Sequence, residues 1–284
     1  HDAVDILRGK PGTEVTITVV HETRRKEPTD ITIERAKIEI PGVRAVHILE
    51  GEPKIGYLHL ASFNEKTVSE LKKALKRFKK EKVKGMILDL RLNPGGLLKT
   101  AVQVSDQFLS EGTIVSTRGR SHPEQSFKAD DDKSDISDIP LVVLVNNFSA
   151  SASEIVTGAI KDTSRGIVIG ETTFGKGSVQ SLIRLPGKGG ALKLTTARYY
   201  TPSGVCIDKI GVKPDIEVKM SEEESITLAR HLSEQLSFSA QEEQEKSGNS
   251  AQNGQEDGQE GDIEDFTDVQ LQRAQDVLKG ILVH

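Results

Sequence analysis

Four short apolar runs limit what this chain can fold into: Ile55–Leu60, residues 86–90, Leu141–Val145 and residues 166–170. Each is too short for a helix, rich in Ile, Leu and Val, and bounded by turn residues, which is the pattern of a buried strand. After the first comes Ser62 or Asn64 as a cap, then Val68, Leu71, Leu75 and Phe78 at helical spacing. After the second comes the turn Arg91-Leu92-Asn93-Pro94-Gly95-Gly96 and a helix over 97–108. The third leads through a serine-rich turn into a helix over 153–162. Three strand–turn–helix passages in succession predict parallel strands joined by crossover helices, an α/β fold.

The flanking segments read differently. Residues 2–7 predict a helix stopped at Gly9, followed by alternating strands over 14–20 and 30–34, the texture of a small β-rich module. Residues 178–185 and 191–199 predict two strands divided by the Gly187-Lys188-Gly189-Gly190 turn. Between Glu242 and Asp265 stand nine acids and the single base Lys246, so this stretch carries −8 of a net −5 and leaves the remainder near +3. Its Gln, Glu, Gly, Asn and Ser content predicts disorder. Helical periodicity resumes over 268–282, predicting a helix packed on the core. The charge balance gives no footprint of a nucleic-acid partner. Cys206 is the sole cysteine, so no intrachain disulfide forms. No apolar stretch approaches the roughly 20 residues of a membrane span. The chain starts at His1 rather than Met and reads as a fragment or processed form.

Chemistry concentrates after two of the strands. Leu141–Val145 delivers the chain to Ser149-Ala150-Ser151-Ala152-Ser153-Glu154, and 166–170 delivers it to Thr172-Thr173-Phe174-Gly175-Lys176-Gly177. A hydroxyl and an amine then stand at one edge of one sheet. Ser151-Ala152-Ser153-Glu154 is a Ser-x-x-Glu capping box. A capping serine and a nucleophile are compatible, because free amides at a helix start, that of Ala152 above all, can hold an oxyanion. A serine needs a base, and no histidine lies between Ser149 and Gln180. A desolvated lysine can serve. An exposed lysine titrates near about 10.4, and burial against Phe174 would lower that value. Gln180 is neutral and can aim the amine by hydrogen bonding.

Competing readings of the same residues are weaker. Residues 170–176 fit the first seven positions of a phosphate-binding loop. The eighth should be Ser or Thr and is Gly177, and strand character follows where a helix should. The seven histidines show no metal-ligand spacing, and a Ser-His-Asp set requires folding to bring in His59 or His122. No metal or cofactor is expected.

Taken together, 88–98, 149–155, 170–180, 197–204 and 211–218 resemble the carboxyl-terminal processing, or tail-specific, proteases. The resemblance covers about residues 54–220 and includes the 25-residue separation of Ser151 and Lys176. It implies a crotonase/ClpP-like core carrying a serine endopeptidase with Ser151 as nucleophile, Lys176 as general base and Gln180 orienting the lysine. The oxyanion hole would combine the Ala152 amide with that of Gly95 or Gly96. Glu154, Asp162 and Thr173 fall on motif positions and would support the site. The resemblance implies a PDZ-like remnant (1–36) and a protease core (37–238), to which composition and periodicity add an acidic insert (239–265) and a C-terminal helix (266–284). It implies protein or peptide substrates and an extracytoplasmic location. A homodimer and a tether preceding residue 1 are compatible with it. A crotonase-like acyl-CoA enzyme and a non-catalytic peptide-binding relative are the alternatives.

Overall fold

The computed structural model describes residues 2–20, 28–36, 41–120, 123–130, 139–185, 189–232 and 266–283. The acidic insert, His122 and part of the 187–190 turn lie outside them. The chain divides into two compact units, His1–Ile40 and Pro41–His284. In the first, helix α1 (Asp2–Leu7) precedes an antiparallel pair, β1 (Glu14–Val19) and β2 (Thr29–Glu34). Arg35 ties this unit together by donating to the carbonyls of Ile6, Leu7 and Glu14 at 2.7–2.9 Å.

The second unit is built on a six-stranded sheet. Its strands are β3 (Val43–Leu49), β4 (Ile55–Leu60), β5 (Gly85–Asp89), β8 (Leu141–Val145), β9 (Ile167–Gly170) and β12 (Ile216–Glu217). Their spatial order is β12-β9-β8-β5-β4-β3, parallel except for the antiparallel edge strand β3. The expected parallel α/β core is present. Helices α2 (Thr67–Lys80), α3 (Leu98–Ser105) and α4 (Ala152–Asp162) make the crossovers. Neither Ser62 nor Asn64 is the N-cap of α2, which is Lys66 with no side-chain cap. Asn64 Oδ1 instead accepts from the amides of Lys66 and Thr67 at 2.9 and 3.2 Å in the turn before the helix.

Alternation along the central strands creates two apolar faces. Leu141, Val143 and Val145 pack with Leu71, Phe78, Val104, Ile155 and Val156 of the crossover helices. Val142 and Leu144 face the other way, onto Ala274 and Leu278. Those two belong to α6 (Val269–Val283), which follows helix α5 over 222–232. A second, antiparallel sheet has the order β10-β11-β6-β7, from β6 (Thr113–Arg118), β7 (Gln125–Lys128), β10 (Ser178–Arg184) and β11 (Ala191–Tyr200). Strands β3, β6, β7 and helix α5 were not expected from sequence.

A buried polar network binds α6 to the end of β5. Arg91 and Asp89 are fully buried and paired at 2.6 Å, and Arg91 Nη2 also meets Asp268 at 2.7 Å. Asp268 in turn accepts from the Leu271 amide at 3.0 Å, capping α6. Tyr57 donates its hydroxyl to Asp89 at 2.7 Å, and His59 Nε2 lies 3.2 Å from the Arg91 carbonyl. Burial alone would neutralise Asp89, but the Arg91 charge and hydrogen bonds hold its carboxyl below the usual value. Burial, aided by the Arg91 and Arg44 charges, lowers the His59 pKa. The unfolded chain therefore takes up a proton at His59 before the folded one does. Stability from this residue is complete above about pH 6.5 and is lost as pH falls below that value. Thermal unfolding followed between pH 7 and pH 5 should show a falling midpoint, and His59→Gln should flatten the decline.

Candidate active site

Ser151 stands between β8 and α4, at φ 54° and ψ −108°. Such a backbone is costly for a residue with a side chain, and strain of this kind collects at functional positions. The strand–turn–helix passage leaves Ser151 half-buried at the start of α4, while Ala150 and Ala152 on either side are buried. The capping-box pairing with Glu154 is present, the Ser151 amide donating to Glu154 Oε2 at 2.8 Å.

Glu154 does more than cap. It is fully buried, and its Oε2 also accepts from the Lys176 amide at 2.8 Å. Its Oε1 accepts from the Thr173 hydroxyl and the Gly175 amide, both at 2.6 Å. Four donors thus fill the two oxygens. Since the amides of Ser151 and Lys176 bind one oxygen, their nitrogens lie no further apart than twice 2.8 Å. Thr173 extends the contact, its Oγ1 accepting from the Val212 amide at 2.7 Å. Thr173 and Glu154 therefore bridge the serine turn and the lysine loop.

The third turn, 91–96, lies against the same place. A Cβ on Gly95 would fall 2.6 Å from the Ala150 carbonyl oxygen, 2.9 Å from the Ala152 nitrogen and 2.9 Å from Ser151 Cβ. With φ at 101°, only glycine suits the position. The Gly95 amide is engaged by Asn93 Oδ1 at 2.9 Å. For the Gly96 amide, no acceptor is present among the described residues. Asn93 is itself held by the Leu60 carbonyl at 2.6 Å, and the Ser153 hydroxyl donates to the Asn93 carbonyl at 2.9 Å.

Two expectations need correction. Phe174 is 64 % exposed and Lys176 is exposed, so the phenyl ring does not enclose the amine. Glu154 holds this loop by the Thr173 hydroxyl and the amides of Gly175 and Lys176, and leaves the side chains of Phe174 and Lys176 at the surface. Asp162 sits at the far end of α4, roughly 16 Å along the helix from Ser151. There it accepts from the Ser203 amide and hydroxyl at 2.9 and 2.6 Å, holding the 201–204 turn. Gln180 is exposed on β10, an edge strand of the second sheet, and among the described residues no hydrogen bond joins it or the lysine amine to Ser151.

The rival readings also fall into place. A strand, β10, follows Gly177 where a phosphate-binding loop requires a helix. His59 is committed to the Arg91 carbonyl, and Asp89 to Arg91 and Tyr57, so the two form no relay to Ser151. Among the described residues no cluster of His, Cys, Asp and Glu could hold a metal ion. None of their helices is long and apolar enough to cross a membrane. Sequence reasoning missed the Asp89–Arg91–Asp268 network, whose only sequence signal was two charged residues at the end of a buried strand.

Comparison with known proteins gives a consistent picture. The model of peptidase family S41 matches residues 54–218. A carboxy-terminal-processing protease of Bartonella bacilliformis is 49% identical over 224 residues, covering 77% of this chain and 50% of that protein. A carboxyl-terminal-processing protease of Synechocystis sp. is 38% identical, covering 75% and 49%. The chain thus spans about half the length of the curated relatives it matches. Among solved structures, the photosystem II D1 C-terminal processing protease superposes with a TM-score of 0.61 at 34% identity, over 76% of this chain and 58% of that one. A putative S41 protease from Bacteroides fragilis shares the fold, with a TM-score of 0.56 at 19% identity over 84% and 66%.

The strain at Ser151 can be measured. Ser151→Ala keeps a Cβ at positive φ, whereas Ser151→Gly removes it. The glycine variant should be the more stable of the two by about 1 kcal/mol in denaturant unfolding.

Proposed function

The chain belongs to peptidase family S41, and on that footing we propose that it is a serine endopeptidase working through Ser151 and Lys176. The observation that carries the reading is the single Glu154 oxygen shared by the amides of these two residues. It fixes the roots of both side chains within a few ångströms, and the flexible four-carbon stem of lysine spans what remains. In this reading the exposed Lys176 amine swings inward when a peptide lies beside the 91–96 turn and excludes water. Gln180 orients it there. The amine takes the Ser151 proton as the hydroxyl attacks the scissile carbonyl. The amides of Ala152 and Gly96 hold the oxyanion, and the lysine then protonates the leaving amine. Water resolves the acyl-enzyme by the reverse steps.

Protein or peptide chains processed near their C-termini are the substrates this reading assigns, in keeping with the names of the relatives. Residues 1–36 are read as the end of a PDZ-like module, and an extracytoplasmic setting as the place of action. An acyl-CoA enzyme on the same scaffold has no use for a strained serine bound to a lysine loop.

Incubation with an unfolded protein, followed by mass spectrometry of the products, tests the proposal. The chain should cleave it. Lys176→Ala should lower the rate by about 10²–10⁴-fold, and Ser151→Ala should abolish cleavage. Undiminished cleavage by Ser151→Ala would remove the serine from the mechanism, and no cleavage by the unaltered chain would favour a non-catalytic relative.

A further inference from the structure

The second sheet places an unusual concentration of arginine next to the lysine loop. Strands β6 and β11 pair so that Arg118 and Arg198 stand directly opposite each other. Like charges in that relation destabilise a sheet. Arg118 is stacked over the Tyr200 ring at 4.4 Å and paired with Glu124 at 3.0 Å. Arg198 pairs with Asp208 at 3.0 Å. Both arginine side chains are about half exposed, so each ion pair is worth at most about 1 kcal/mol. Arg120 has no acidic partner among the described residues. The three guanidinium groups, with Thr195 and Thr196, line a cavity of about 380 Å³ that carries more positive than negative charge.

Its position ties it to the proposed chemistry. Ser178, two residues after Lys176, pairs with Arg198, and the Tyr199 amide donates to the Gly177 carbonyl at 2.7 Å. Arg198 thus stands on the strand beside the one that leaves the lysine loop, and Arg118 one strand further, so a peptide running from the loop along this face of the second sheet would reach them. Guanidinium forks suit carboxylates in geometry as well as charge.

We infer that the Arg118–Arg120–Arg198 cleft is a subsite for acidic side chains of the peptide substrate. The inference rests on the peptidase reading for its role and not for its test. Binding is measured on the Ser151→Ala chain by fluorescence anisotropy, with C-terminally amidated peptides carrying either Glu and Asp or Gln and Asn at the same positions. A neutral peptide with a free C-terminal carboxylate is the third arm. The acidic peptide should bind about fivefold tighter or more than its neutral counterpart, the factor one surface charge pair supplies. High salt should shrink the gap, and Arg120→Gln should bring it close to one. Equal binding of the acidic and neutral amides overturns the inference. So does an unchanged gap in Arg120→Gln, or preference for the free chain end over acidic side chains. Failure of the peptidase reading shows elsewhere, as absence of cleavage by the unaltered chain.

Discussion

A buried carboxylate without a cationic partner holds the site together. Taking such a group out of water costs several kcal/mol unless its oxygens are fully used. Glu154 meets that condition with three backbone amides and one hydroxyl, all at 2.6–2.8 Å. Its place in the first turn of α4 adds the favourable end of the helix dipole. These donors come from two separate loops, so the carboxylate's demand for hydrogen bonds is met only when the serine turn and the lysine loop are side by side. The same contact holds the Ser151 amide while that residue keeps its positive φ.

The loops arrive there because of strand order. β9, β8 and β5 are consecutive neighbours in a parallel sheet, so their carboxyl ends lie in a row. The lysine loop, the serine turn and the 91–96 turn leave from those ends, the edge where open parallel sheets bind ligands. On one side Gly95 permits backbone contact with Ser151 that any side chain would block. On the other, Arg91 reaches through the core to Asp268, so the glycine turn is fastened to the cap of α6. A site on one surface is thereby supported by a helix on the opposite face of the sheet.

Much of this was legible in the chain itself, for identifiable reasons. The central strands Leu141–Val145 and Ile167–Gly170 are apolar on both faces, and their shortness, β-branched content and bounding turn residues mark them as buried strands. Ser151 and Lys176 stood out because turn residues follow those runs, and Glu154 because it stands three positions after a capping serine, with two residues between. The edge strand β3 and the strands β6 and β7 were hidden, since Arg44 and His47 in β3, Ser116 and Thr117 in β6, and Gln125, Ser126 and Lys128 in β7 break up their apolar pattern. Asp162 was credited to the site by its motif position, whereas helix rise carries it to the opposite end of α4. Nor can local sequence show that Glu154 reaches Gly175 and Lys176, or that Arg91 meets Asp268 177 residues away. Both depend on which strands become neighbours.

The account stands on Glu154 joining two loops. Amide hydrogen exchange in the Glu154→Ala chain, resolved at Ser151, Gly175 and Lys176, measures that directly. All three amides should lose protection together, while those of Val143 and Val168 in the adjoining strands keep theirs. Loss confined to Ser151, with Gly175 and Lys176 as protected as before, would mean the lysine loop is held by something else.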